Sequence, residues 1–344
     1  MTRGSVLVAM SGGVDSSVAA ALLVEQGWDV VGVTMRLWGG ESDTGCCSVA
    51  DVEDARRVAQ QLGIDHVVFN FTDDFHARVV DPYVADHAAG RTPNPCVECN
   101  RHLKFDRLLG RAERLGIDAV ATGHHARVVE VGGGFRVGRG ADRAKDQSYV
   151  VHVLGQDALA RVLFPVGDRT KADVRAMAAA LGLRTATKPD SQDVCFITSG
   201  GGREAFLGSR IPFTPAAVVD TAGRTVGRVD AVELVTVGQR RGITGGGGER
   251  RYVVAVDPVA AVVTVGSAAD LLSGDVRVRD LGWAGPPVRG PVLVQCSAHG
   301  PARPATLDGE TVRWAQPQRR VAPGQSVVIY DAGDELVLGG GIAS

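Results

Sequence analysis

Apolar and polar positions alternate along the first 200 residues in blocks of strand length and helix length. Val6 to Met10 is a short apolar run, followed by a glycine-rich turn and an Ala/Val/Leu stretch, about Ser16 to Gln26, that reads as helix. Gly27 stands where a helix C-cap belongs. Val30 to Met35 reads as the next strand, and Val49 to Leu62 as a helix with Val52, Ala55, Val58, Ala59 and Leu62 on one face. His66 to Asn70 and Asp118 to Thr122 are further strand signals, each preceded by a helix ending in Leu-Gly-Ile-Asp. Repeated strand–helix alternation with short connections predicts an α/β fold with a doubly wound parallel sheet.

Past about residue 200 the helical period stops. Val218 to Val229 carries a hairpin signal at Thr-Ala-Gly-Arg, and Tyr252 to Val265 turns at Asp257-Pro258. Val276 to Val278, Val292 to Cys296, Thr311 to Trp314 and Ser326 to Tyr330 continue the short runs. We expect three domains: an α/β domain over 1–200, a small β-rich module over 201–270 and a C-terminal β-barrel over 271–344. Gly245 to Gly248 reads as a loop tip.

Composition narrows the class. Hydrophobic residues are 44% and charged residues 22% of 344, ordinary for a globular chain. No uncharged stretch approaches the roughly 18 to 20 apolar residues of a membrane helix, and Val6 to Met10 is too short for a signal-peptide core, so a cytoplasmic protein without a membrane partner is expected. The net charge of −2 gives no global basic footprint, so a nucleic acid would have to be held by local patches. Arg240-Arg241 and Arg250-Arg251 are candidates for such a patch, or else belong to solvated loops. Lysine occurs only at Lys104, Lys145, Lys171 and Lys188. Thr170-Lys171-Ala172-Asp173 reads as a capping box, not chemistry.

Ser11-Gly12-Gly13-Val14-Asp15-Ser16-Ser17 lies between the first strand and the first helix, where open α/β sheets bind ligands. Paired glycines let successive N–H groups converge on phosphate oxygens, the serines add hydroxyl donors and the helix dipole favours an anion. Asp15 would repel phosphate, so it caps the helix or helps hold magnesium. No lysine follows a glycine, which excludes a Walker loop. The segment resembles instead the PP-loop of ATP pyrophosphatases, which split ATP between its α and β phosphates.

Cys96-Val97-Glu98-Cys99 sits in the proline-locked loop Gly90 to Asn100, and Cys195 in Lys188 to Ile197. A Cys-x-x-Cys is half a zinc site, with only His102 nearby as a further ligand. Three cysteines also suit thiol redox chemistry or a [4Fe–4S] cluster with one open iron. Cys46, Cys47 and Cys296 read as buried thiols.

The PP-loop, Cys46-Cys47-Ser48, Gly90 to Asn100, Ala121-Thr122-Gly123-His124, Lys145-Asp146-Gln147-Ser148-Tyr149 and Ser191 to Phe196 form one set of motifs. With Val237 to Gly242 and Leu338 to Ile342, they are similar to the MnmA family of tRNA-specific 2-thiouridylases over nearly the whole chain. The resemblance implies an adenine nucleotide alpha hydrolase-like catalytic domain. It also implies ATP-dependent adenylation of uridine 34 in tRNAs for Gln, Lys and Glu, followed by thiolation at C2, with magnesium expected. It assigns Ala9, Met10, Ser11, Gly12, Gly13, Val14, Asp15, Ser16, Met35 and Gly123 to the nucleotide. It makes Cys195 the persulfide carrier, fed by a sulfur-relay protein or cysteine desulfurase, and Cys99 the second thiol, which releases sulfide or closes a disulfide. Asn94, Pro95 and Cys96 would meet the target base. His124, Lys145, Asp146, Gln147 and Gln325 would contact the tRNA, while His125 reads as a packed residue.

Two departures stand out. Many family members carry Asp, a proposed acid/base, where this chain has Cys96; a thiol with a reference pKa near 8.5, against about 3.9 for Asp, does not inherit that role. Cys96, Cys99 and Cys195 then complete a set that could ligate a cluster, so persulfide and cluster routes both stand. In the barrel, Ser297-Ala298 replaces a frequent Arg-Tyr pair, and that tRNA contact is not carried over. The other readings are a PP-loop adenylating enzyme acting on a small carboxylate or amide, and a non-catalytic iron–sulfur or tRNA-binding protein.

Overall fold

The computed structural model describes residues 3–38, 48–190, 194–197, 202–243 and 250–344. Cys46, Cys47, Ser191 to Asp193 and the Gly245 to Gly248 run lie outside them. β1 (Ser5–Ala9), β2 (Asp29–Arg36), β3 (Asp65–Asn70), β4 (Ala119–Thr122) and β7 (Val162–Leu163) form a parallel sheet in the order β3-β2-β1-β4-β7. The alternation of short apolar runs with helices predicted this. Such runs must be buried on both faces, and only helices crossing over each face can cover them. α1 (Val14–Glu25) and α2 (Val49–Leu62) pack on one face with Val6, Val8 and Ala121. Phe75, Val79, Leu103 and Leu108 cover the other with Leu7, Val33 and Val120.

α2 has the predicted bounds. Ser48 accepts from the Asp51 N–H at its start, and Gly63 closes it at φ +69°. α1 begins at Val14, two residues before the expected start, because Gly13 takes the N-cap position. A hairpin of β5 (Ala126–Val131) and β6 (Gly134–Arg139), turning at Gly132-Gly133, adds to the elements that the sequence pattern predicts. A nearly unbroken helical run over Pro95–Glu98, Cys99–Arg107 and Leu108–Arg114 carries the Cys-x-x-Cys pair on its first turns, the middle segment being widened to π-type turns.

β8 (Ala216–Asp220), β9 (Thr225–Val229), β10 (Tyr252–Asp257) and β11 (Val262–Gly266) form a second sheet, in the order β10-β11-β8-β9. β12 (Leu272–Trp283), β13 (Gly290–Gln295), β14 (Arg303–Asp308), β15 (Thr311–Arg319), β16 (Ser326–Tyr330) and β17 (Val337–Ala343) close into a barrel. The barrel docks on the catalytic sheet's flank through Tyr330, Val328 and Val337, which share a core with Tyr149, Phe105 and Phe164. Among the described residues no helix is long and apolar enough to cross a membrane.

Candidate active site

β1 and β4 are neighbours in the sheet, and the sheet's order reverses between them, so their C-terminal ends open a crevice at a topological switch point. The chain leaves β1 through Met10, Ser11, Gly12 and Gly13. Gly12 has φ +72°, and a Cβ there would fall 2.3 Å from the Asp51 carbonyl oxygen, so glycine is required on both counts. Gly123, just past β4, presses against the same turn from the other side: its Cβ would lie 2.5 Å from Ser16 N. Ser16 Oγ and Ser17 Oγ donate to the Gly13 carbonyl at 3.1 and 2.8 Å, and the Ser11 N–H donates to Ser16 Oγ at 3.2 Å. The loop is thus braced by its own hydroxyls. Ser11 is exposed at its tip, and Val14 is buried beneath.

Three of the four lysines converge here, from segments far apart in sequence. Lys171 Nζ donates to both carboxylate oxygens of Asp15, at 2.8 and 2.6 Å, and lies 2.9 Å from Asp190 Oδ1. Asp190 is shared further with Lys145 at 2.9 Å and Arg175 at 2.7 Å. Lys188 donates to the Gly12 carbonyl at 3.0 Å and pairs with Asp51 and Asp54 at 2.5 and 2.8 Å. Burial alone would raise the Asp15 carboxyl, but hydrogen bonds from His125 and Lys171 and the Lys171 charge hold it below its usual range. Asp190 is held low in the same way, burial being outweighed by Lys145 and Lys171. Burial would lower Lys188, yet its bonds to Asp51 and Asp54 leave it raised and charged. A glycine turn at a helix start, bordered by ammonium groups that carboxylates hold in place, has the chemistry that suits a polyphosphate.

Asp15 does not cap α1; its carboxylate is spent on Lys171 and His125 Nε2, the latter at 3.2 Å. The capping box at Thr170 and Asp173 exists as read, and it starts the helix that delivers Lys171 to the loop. The adjacent histidines divide unexpectedly. His124 is buried between Phe105 and Phe164 with Nδ1 on Thr122 Oγ1 at 2.6 Å, and burial lowers its pKa far below the usual value. His125 is the one that reaches the phosphate loop. Gln147 brackets it, accepting from the His125 N–H and donating its own N–H to the His125 carbonyl, both at 2.9 Å. Asp146 is sunk in an ion pair with Arg139 at 2.9 Å and accepts from Ser148 Oγ at 2.7 Å. Only Lys145 of that motif is exposed.

The cysteine loop is held by all three modules. Asn94 caps the helix by accepting from the Cys96 N–H at 3.1 Å, with Pro95 at its first turn. Thr92 N–H donates to Pro323 O at 2.7 Å, and Gln325 Nε2 donates to Thr92 O at 2.5 Å, both from the barrel. Thr92 Oγ1 meets Thr236 Oγ1, in the loop before β10 of the middle module, at 3.2 Å. Cys96 is exposed and Cys99 buried. Cys99 shares one apolar cluster with Ala9 and Met35, at the ends of β1 and β2, and with Phe196; half-buried Cys195 packs against it.

Among the described residues no group of three His, Cys, Asp or Glu side chains is placed to hold a metal ion. Cys96, Cys99 and Cys195 therefore do not fit a [4Fe–4S] cluster in this arrangement, because Cys96 faces solvent while Cys99 is turned into the core. Asp15 would have to leave Lys171 to serve magnesium.

A parallel α/β sheet with a glycine loop and clustered lysines at its switch point defines a nucleotide-binding enzyme of the PP-loop class. Family models match successive parts of the chain: a tRNA methyl transferase HUP domain at residues 4–199, a tRNA methyl transferase PRC-barrel domain at 204–267 and an aminomethyltransferase beta-barrel domain at 275–343. The tRNA-specific 2-thiouridylase MnmA of Chloroflexus aurantiacus is 47% identical over 98% of this chain and 97% of its own. Those of Acidothermus cellulolyticus and Roseiflexus sp. are 47% identical over 97% and 96%, and 44% identical over 98% and 98%. The chain belongs to the family of tRNA-specific 2-thiouridylases, MnmA. A solved NMN synthetase from Francisella tularensis overlaps more loosely, at 18% identity and TM-score 0.35, covering 55% of this chain and 67% of its own.

Proposed function

We propose that the protein is a tRNA sulfurtransferase that activates uridine 34 of tRNAs for Gln, Lys and Glu with ATP and replaces O2 by sulfur. The uracil O2 attacks the α phosphate, pyrophosphate leaves, and the oxygen becomes part of AMP, a good leaving group where a bare carbonyl oxygen is a poor one. The terminal sulfur of a Cys195 persulfide then attacks C2 and AMP departs. Cys99 attacks the Cys195 sulfur to free the thiolated base, leaving a disulfide that external thiols reduce. The persulfide sulfur comes from a relay protein or cysteine desulfurase. The uridine must leave its stack to reach this crevice.

One observation carries the reading: Cys99 lies in, and Cys195 packs against, the apolar cluster that contains Ala9, the last residue of β1 before the phosphate loop. Lys171 and Lys188 are the groups that meet the phosphates, His125 and Gln147 hold Asp15 in place, and Lys145 faces the tRNA. Gln325 acts on the cysteine loop through Thr92. The persulfide route needs only Cys99 and Cys195, leaving Cys96 near the base. Pyrophosphate release from ATP should rise with unmodified tRNA and with nothing smaller. Stimulation by a free amino acid or nucleotide, without response to tRNA, would overturn the substrate.

A further inference from the structure

Several described arginines of the catalytic module pair with carboxylates, among them Arg127, Arg139, Arg143, Arg175 and Arg184. The seam between the middle sheet and the barrel is different. Gly238 and Gln239 bond the backbone of Val253, by Gly238 N to Val253 O at 2.8 Å and Val253 N to Gln239 O at 2.9 Å. This lays Arg240 and Arg241 beside Arg250, Arg251 and Tyr252. From the barrel, the Arg319 guanidinium stands 6.0 Å from the Tyr252 ring centre, and Arg320 follows it, its N–H bonding Leu271 O at 2.8 Å.

Arg240, Arg241, Arg250, Arg319 and Arg320 are exposed, Arg251 is half-buried, and among the described residues none of the six has an ion pair. Arg251 Nη1 is moreover a buried donor with no partner among them. The nearby Asp270 carboxylate is engaged by Ser267, whose N–H and Oγ donate at 2.8 and 2.7 Å. Six guanidinium groups with no ion pair among the described residues make this seam a local positive patch on a chain of net charge −2.

We infer that this seam is a docking surface for the phosphodiester backbone of RNA, made jointly by the middle sheet and the barrel. The inference rests on the tRNA reading above and adds to it where the nucleic acid is gripped. Guanidinium forks pair with phosphates irrespective of base, so the surface would set affinity and register while the crevice selects the uridine. It also supplies the barrel's contact where Ser297-Ala298 offers no charge.

The test is unmodified tRNA binding to the full chain across a salt series, for wild type, R319Q/R320Q, R319K/R320K and R313Q. Arg313 is exposed on β15 and lies 3.9 Å from Asp308, outside the cluster. Each lost phosphate contact removes about 0.7 to 0.9 from the slope of log K against log salt. R319Q/R320Q should flatten the slope by about 1 to 2 and weaken binding on the order of tenfold at low salt. R319K/R320K should keep the slope, and R313Q should match wild type. A steep wild-type slope that R319Q/R320Q leaves intact overturns the docking surface alone, as does equal loss in R313Q. A wild type that does not bind tRNA overturns both this surface and the substrate reading.

Discussion

Replacing Lys171 by Met removes one ammonium group and keeps most of the side chain's apolar length. Lys171 is 12% exposed and bonds Asp15 twice, at 2.6 and 2.8 Å. A pair this close at the effective dielectric of a protein surface gains about 6 kcal/mol gross, and desolvation takes most of it back. Asp190 keeps Lys145 and Arg175 in the variant, whereas Asp15 keeps only His125, so the net loss should be roughly 1 to 3 kcal/mol at pH 7. The pH dependence carries the sharper signature. In the wild type the Asp15 carboxyl is depressed, so its contribution is present above its unfolded pKa of 3.8 and is lost as pH falls through the folded value. Without Lys171, only His125 is left to oppose the upward push of burial on that carboxyl. The stability gap between the two proteins should therefore be widest near pH 7 and narrow as pH falls toward the folded value of Asp15. Urea unfolding at pH 7, 5 and 3 measures it. Pyrophosphate release should fall much further, by about 100- to 1,000-fold, as when a single preorganised charge donor is removed. A gap that stays constant down to pH 3, or a variant turning over at wild-type rate, would refute the placing of Lys171 at the loop.

Gly123→Ala should fold yet lose nucleotide binding, since its Cβ would lie 2.5 Å from Ser16 N; calorimetric ATP titration reads this, and unchanged affinity would detach Gly123 from the loop. Burial lowers His87 and His152 from 6.5 to about 4, so the unfolded chain takes up protons first and stability should drop by roughly 1 to 3 kcal/mol per histidine between those values. His87→Gln and His152→Gln should each flatten that decline in thermal melts at pH 4.5 and 7. Cys195→Ser should still release pyrophosphate with tRNA but form no 2-thiouridine, read by nucleoside mass spectrometry; thiolation by this variant would remove Cys195 from the sulfur path. Gln325→Ala frees Thr92 O, and it should slow thiolation several-fold without altering ATP affinity.

Local patterns determined much of this protein. Strand and helix positions through the parallel sheet, the glycine loop, the capping box at Thr170 and the change to short alternating runs after residue 200 all depend on residues within a few positions of each other. The β5–β6 hairpin has a turn signal at Gly132-Gly133, but the strands flanking it are too mixed in polarity to stand out in the sequence. What no local pattern holds is which charges meet. Lys171 and Asp15 are 156 residues apart, and Lys188 and Asp51 137, so their pairing depends on strand order and crossover and on nothing written near either residue. The scarcity of lysine was the one available hint. His124 and His125 have the same chemistry and adjacent positions, yet one is closed between Phe105 and Phe164 and the other reaches Asp15. That choice belongs to the direction each side chain takes as the chain leaves β4. The same holds for Cys96 and Cys99, three residues apart on one helix: packing against the sheet buries the second and leaves the first in water.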